Sequence, residues 1–247
     1  MTHNRVKGEI SHGKYLSEND PELLWGWGTP AGRQRASRRA KLIAEGAGLR
    51  PGITALEIGC GVGMFTEEFA RTGASILAVD ISPDLLKKAR SRGLPEDKVR
   101  FVEAPFEELD LDSSFDAVIG SSVLHHLDMR RSIVRIFKLL KPGGCFSFAE
   151  PNYLNPQVFC ERAFRFLPYF SYISPDETAF VRWRLTRILK SAGFSQITIT
   201  PFDWLHPSTP PGMINTVSKL GHTLEGLAGI REFSGSLHIR CIRPHRI

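Results

Sequence analysis

Cysteine is scarce in this 247-residue chain, and the four present (Cys60, Cys145, Cys160 and Cys241) form no C-x-x-C pair and keep no metal-like spacing with histidine. That leaves no disulfide framework and no metal-ligand set to organise the fold, so they read as small buried side chains in a reducing compartment. No run approaches the roughly 20 apolar residues of a membrane span, and the opening Met-Thr-His-Asn-Arg-Val-Lys lacks the apolar core of a secretory signal. The expected location is therefore cytoplasmic. Internal repeats and low-complexity segments are also missing. What is present, 42% hydrophobic residues, is enough for one large core, so a single domain with appendages is expected.

The net charge of +6 is moderate but unevenly spread: five of the nine residues from Arg33 to Lys41 are basic. Such a cluster suits phosphate, lipid head groups or RNA, or else the solvated face of a helix over residues 36–47 with Ala40, Ile43, Ala44 and Ala47 turned inward.

The most informative stretch is 56–65, Leu-Glu-Ile-Gly-Cys-Gly-Val-Gly-Met-Phe. Ile53, Ala55, Leu56 and Ile58 suit a short buried strand, and Met64, Phe65, Phe69 and Ala70 recur at helical spacing until Gly73. A strand, a glycine turn and a helix follow in that order. Gly59, Gly61 and Gly63 let the backbone turn without a Cβ in the way, so an anionic or nucleotide-like ligand can approach the main chain and the helix N-terminus. The spacing departs from the dinucleotide fingerprint, whose sixth position here is Met64, and no Gly-Lys-Ser/Thr follows to make a phosphate loop. Glu57 stands where a dinucleotide strand carries an apolar residue. A second strand over residues 75–80 ends in Asp80, placed either to accept two hydrogen bonds from a ribose diol or to cap the helix that Ser82-Pro83-Asp84 opens.

These residues resemble the first two motifs of the class I, Rossmann-like, S-adenosylmethionine-dependent methyltransferases. Further matches follow in family order: Phe-Asp-Ala-Val-Ile-Gly-Ser-Ser-Val-Leu-His-His-Leu at 115–127, Leu-Lys-Pro-Gly-Gly at 140–144, and a segment from Leu185 ending Ser-Ala-Gly-Phe at Phe194. The resemblance covers residues 49–200. It implies a doubly wound α/β fold with a mostly parallel seven-stranded sheet and an antiparallel last strand. Strands are expected at 53–58, 75–80, 99–103, 117–120, 145–149, 196–200 and 236–241.

For the donor, S-adenosylmethionine leaving as S-adenosylhomocysteine, the resemblance points to Glu57, Gly59, Cys60, Gly61, Gly63, Asp80, Ile81 and Ser121. The family commonly places an Asp-Ala pair after the third strand, where this chain has Pro105-Phe106, so adenine would rest on the Phe106 amide and on apolar packing unless Glu107 or Glu103 reaches in. Arg33 is the candidate partner of the methionyl carboxylate. The chain lacks the Asn-Pro-Pro-Tyr/Phe tetrad of enzymes that methylate base amines, which argues against DNA and lowers the RNA reading.

Residues 1–46 are expected to form a cap or lid, with Trp25 and Trp27 closing the mouth or packing into the core, and residues 47–247 the methyltransferase domain. Inserts near 151–175 and 203–234 converge on that mouth and should build an aromatic, partly basic acceptor pocket. Glu150, Asn152 and His206 are candidate acceptor contacts. His125 and His126 either shape the pocket or take a proton from the acceptor, His126 being the stronger candidate for a base. No metal is expected. The acceptor implied is small or amphiphilic, lipid-like or isoprenoid-like. The alternatives are RNA, protein, or a non-catalytic S-adenosylmethionine-binding homologue. An exposed apolar patch would meet a membrane surface or a second copy of the chain.

Overall fold

The computed structural model describes residues 3–111, 114–164 and 179–245. Phe166, Tyr169, Phe170 and Tyr172 of the first expected insert, and Ser174-Pro175-Asp176-Glu177, whose sequence reads as a capping box with proline at the first helical position, lie outside the described residues.

Helices α1 (His3–Glu18), α2 (Pro21–Leu24) and α3 (Pro30–Ala47) precede strand β1 (Thr54–Ile58). Then come α4 (Met64–Ala70), β2 (Ser75–Asp80), α5 (Pro83–Arg90), β3 (Val99–Glu103), β4 (Phe115–Ser121), a short 3-10 turn at Leu124–His126, and α6 (Met129–Leu139). The chain continues through β5 (Leu140–Pro151), α7 (Pro156–Ala163), α8 (Arg182–Ser191), β6 (Ser195–Phe202), α9 (Ile214–Gly226) and β7 (Ser236–Ile242). The sheet order is β3-β2-β1-β4-β5-β7-β6, with β7 antiparallel to both neighbours. This is the Rossmann-like methyltransferase arrangement. The order reverses between β1 and β4, so the loops after those strands form the crevice where such sheets bind ligands.

Each face of the sheet is covered by helices. Ile133, Ile136, Leu185 and Leu189 of α6 and α8 pack with Phe146 and Phe148 on one side, and Ala40, Ile43, Phe69 and Leu86 of α3, α4 and α5 cover the other. Fully burying each large apolar side chain contributes about 1.5–3 kcal/mol. The helix ends obey local chemistry: Thr29 and Ser82 cap α3 and α5 through their hydroxyls, each followed by proline, and Gly48 ends α3 in the left-handed conformation.

β5 is longer than expected. Lys141-Pro142-Gly143-Gly144 does not interrupt it, because a bulge pairs Leu140 with Phe115 and Cys145 with Ala117. The cluster of cations on α3 is only in part a solvated face. Arg35 pairs with Asp203 at 2.9 Å and Arg38 with Glu225 at 2.5 Å, tying α3 to the long connection between β6 and β7, while Arg39 is buried and Lys41 and Arg33 point outward. Within that connection α9 buries Ile214 and Gly221, leaving Met213, Leu220 and Leu227 exposed.

α1 and α2 close one end of the crevice. Arg92 joins Glu22 of α2 to Glu67 of α4, and Lys88 donates to Asn19 O at 3.2 Å. No described helix is long and apolar enough to cross a membrane.

α1 lies so close to α5 that a Cβ at Gly13 would overlap the Ser82 side chain. Gly13→Leu should therefore lift α1 from the body while leaving the sheet intact. Hydrogen exchange across residues 3–18 is expected to accelerate at least tenfold with a thermal midpoint within a few degrees of wild type, and unchanged protection would contradict the packing.

Candidate functional site

Between β1 and α4 the chain turns through Gly59, Gly61 and Gly63, with φ of +69, +53 and +75°, all in the region that favours glycine. Two further constraints fix the turn. A Cβ at Gly59 would overlap Val123, and the amides of Gly59 and Cys60 both donate to Val79 O, at 2.8 and 3.1 Å. Gly61 and Cys60 line the crevice, whereas Gly63 faces Ala89, where a Cβ would come to 3.0 Å, and so serves the packing of α4 on α5.

Asp80 reaches this turn from the tip of β2. Its Oδ2 accepts from Gly61 N at 2.7 Å and its Oδ1 from Ser82 N at 2.9 Å. The helix cap belongs to the Ser82 hydroxyl, so Asp80 is left to hold the turn and line the crevice. Burial raises its pKa, opposed by the hydrogen bonds from these amides.

Glu57 is placed differently. It is buried beneath the turn beside Thr66 rather than in the crevice wall, and its Oε2 has no hydrogen-bond partner. Burial pushes its pKa up to about 8.

The crevice is a cavity of about 780 Å³, within the range of small-molecule sites. Ile81, Pro105 and Phe106 form its floor beyond Asp80. Glu107 also lines it, with Oε1 accepting from Asp128 N at 3.2 Å, while Glu103 does not. Ser121 lines it too, and its Oγ is buried with no hydrogen-bond partner.

Farther along, Trp25, Trp27 and Trp204 supply aromatic walls, with His206 at the edge. Arg33 lies outside the cavity, exposed, with its guanidinium on Gly28 O at 2.6 Å. The arginines that do line the cavity are Arg35 and Arg39 of α3 and Arg162 of α7. Arg39 is 2% exposed, donates to Ser122 Oγ at 2.9 Å and Ser236 Oγ at 2.7 Å, and lies between the rings of Trp27 and Phe202. It makes no salt bridge among the described residues, its Nε has no partner, and burial pulls its pKa down to about 10. Nothing local marks Arg39 as a site residue, because a helical arginine is ordinarily solvent-facing; its spacing of seven before Gly46, where the helix meets Ser147 and His238, is the available signal.

The histidines are both in the cavity wall, on the 3-10 turn after β4, with ring centroids 4.3 Å apart. His125 Nδ1 is 2.7 Å from Glu150 Oε2, and Glu150 Oε1 accepts from Val123 N and Leu124 N, both at 2.9 Å. His126 Nδ1 is 3.2 Å from Glu9 Oε1 of α1. Glu150 and Asn152, nominated as acceptor contacts, are instead fully buried behind the wall: Glu150 holds the histidine turn, and Asn152 donates to Glu232 O and Ser234 O, both at 2.7 Å. Among the described residues no cluster of His, Cys, Asp and Glu could hold a metal ion.

A methyltransferase-domain family profile matches residues 56–148. A ubiquinone biosynthesis O-methyltransferase of Xanthomonas campestris pv. campestris is 33% identical over 167 residues, 62% of this chain and 69% of the relative. The chain belongs to the class I S-adenosylmethionine-dependent methyltransferases. A relative of the same name from Bordetella avium is 35% identical over 156 residues, spanning 57% of this chain and only 64% of that protein. Among solved structures, the N-methyltransferase NodS of Bradyrhizobium japonicum with S-adenosyl-L-homocysteine shares the fold at a TM-score of 0.65 and 19% identity, covering 96% of this chain and 100% of that one.

The methyltransferase's cofactor is S-adenosylmethionine. An open glycine turn, a carboxylate beside it and a buried guanidinium lacking a carboxylate partner suit a ligand with a sugar diol and a free amino-acid end.

Glu57 gives a pH test. Its folded pKa lies well above the ordinary carboxylate value, so the folded chain keeps a proton that the unfolded chain has lost, and stability falls as pH rises between that ordinary value and about 8. Glu57→Gln cannot titrate. The fall in thermal midpoint between about pH 5 and pH 9 should be several degrees smaller in the variant, and parallel curves would contradict the assignment.

Proposed function

We propose that this methyltransferase alkylates a hydroxyl of a small, largely apolar, ring-bearing acceptor, with His125 as the base. The observation that carries this reading is the buried 2.7 Å contact between His125 Nδ1 and Glu150 at the cavity wall. Glu150 Oε1 already accepts two backbone amides, and with Oε2 accepting from His125 Nδ1 the neutral imidazole carries its lone pair on Nε2. The name O-methyltransferase borne by the relatives supports an oxygen acceptor. Three of the chain's four tryptophans line the cavity, which supports a flat apolar body.

Bound here, S-adenosylmethionine supplies an electrophilic methyl on a sulfonium and leaves as S-adenosylhomocysteine. The residues of the chain provide the rest. Asp80 faces the ribose, Phe106 and Ile81 pack against adenine, and Arg39 takes the methionyl carboxylate in the place expected of Arg33. The glycine turn and the Trp25 ring, 3.3 Å from where a Gly61 Cβ would lie, exclude water from the reacting groups. Alignment of this kind is worth about 7–11 kcal/mol at best. His125 removes the hydroxyl proton at Nε2 as the new oxygen–carbon bond forms, and Glu150 stabilises the imidazolium without itself taking the proton. Exposed Phe159 on α7 and Ile230 and Phe233 before β7 give an amphiphilic acceptor an apolar approach to the cavity.

The test uses donor labelled in its methyl group and a fractionated cell extract. Label is expected in the lipid or small-molecule fraction. His125→Ala should slow transfer by about 10²- to 10⁴-fold with S-adenosylhomocysteine affinity unchanged, and Glu150→Gln by less. Loss of less than tenfold in His125→Ala would remove it as the base; label in RNA or protein would overturn the acceptor.

A further inference from the structure

We propose that Arg35 forms an anion subsite in the acceptor part of the cavity, so that the acceptor carries a carboxylate besides the hydroxyl that is methylated. This rests on the methyl-transfer reading above.

Arg35 lines the cavity, and Asp203 engages its guanidinium from the side. Nε and Nη2 both meet the same oxygen, Oδ2, at 2.9 Å. Among the described residues no other hydrogen-bond partner takes the group. The end of the fork formed by Nη1 and Nη2, the edge that grips a carboxylate through two parallel hydrogen bonds, therefore stays available. Nη1, which has no partner among the described residues, is not sealed in, since it is absent from the buried atoms that lack one. Arg35 lines both the main cavity and a side pocket of about 20 Å³. The side pocket has room for little more than one water.

The group is also held rigidly. The guanidinium lies 5.1 Å from the centre of the Trp27 ring. Asp203 is buried with φ of +79°, and that conformation is fixed at both ends: its N–H donates to Glu225 Oε1 at 2.8 Å and its carbonyl accepts from Gly235 N at 2.7 Å. A non-glycine residue kept left-handed by its surroundings is strain retained for a purpose, and here it aims the carboxylate that orients Arg35. Arg39, one helical turn on, differs in having serine hydroxyls on both terminal nitrogens.

Arg35 and Arg39 line the cavity together with Asp203. His206 in the same wall has its pKa lowered by burial and then by Arg35, against the opposing pull of Glu161 and Asp203. A carboxylate at the far end of a flat hydroxylated ring would meet a preorganised fork while its hydroxyl lies toward His125.

Calorimetric titration into the protein loaded with S-adenosylhomocysteine tests this without turnover. The probes are 4-hydroxycinnamate and its amide, with 4-hydroxybenzoate and its amide as a shorter pair. At least one acid is expected to bind tenfold or more tightly than its amide. Arg35→Met should erase that preference, leaving amide and S-adenosylhomocysteine affinities unchanged, and Arg35→Lys, a point charge without the fork, should keep only part of it. Equal binding of acid and amide, or no binding of either acid, would overturn the subsite. A loss of S-adenosylhomocysteine affinity in Arg35→Met would overturn it by assigning Arg35 to the donor. Failure of the wild-type protein to bind S-adenosylhomocysteine would instead strike the methyltransferase reading itself.

Discussion

One carboxylate joins the two halves of the crevice. Asp80 hangs from the tip of β2, yet both its oxygens are committed to main-chain amides, one on the glycine turn after β1 and one at the start of α5. Charge-assisted bonds to backbone N–H groups are stronger than neutral ones, and the half-buried setting sharpens them. The turn is thereby held open at the switch in strand order, and the cavity that runs from there to the histidines has one rigid edge.

The opposite edge is braced by α3. Two arginines spaced four apart reach out of one helix face, Arg35 to Asp203 after β6 and Arg39 to Ser122 after β4. Ser122 and Asp203 are two of the three non-glycine residues with positive φ among the described residues. Strained backbone persists where the surroundings over-determine it, and here the same helix supplies the restraint at both positions. The loop that carries the histidines and the loop that follows β6 are thus set by a single element, itself anchored by Ile43 and Ala40 in the core.

Much of this was legible from local chemistry. The strands announced themselves as short apolar runs, the glycines allowed a sharp turn, and Ser82-Pro83-Asp84 marked a helix start because caps depend on neighbours in sequence, whereas α3, expected only from residue 36, starts at Pro30 behind its Thr29 cap. What failed depended on which way a side chain faces once distant segments pack. Glu150 and Asn152 end a strand at the expected rim, but both turn inward to hold backbone groups. Arg33 and Arg39 differ by less than two helical turns, and only the packing of α3 on the sheet decides which is buried. The contact of His125 with Glu150, a partner 25 residues away, likewise has no local signature. β5, expected from residue 145, instead starts at Leu140, with Pro142-Gly143-Gly144 carried in a bulge between the pairs Leu140–Phe115 and Cys145–Ala117.

The central claim is that the glycine turn and Asp80 form the donor pocket, and calorimetric titration with S-adenosylhomocysteine tests it most directly. One equivalent should bind to the wild-type protein, and Asp80→Ala should bind at least tenfold more weakly while remaining folded. No binding by the wild-type protein, or equal affinity in the two proteins, would contradict the account.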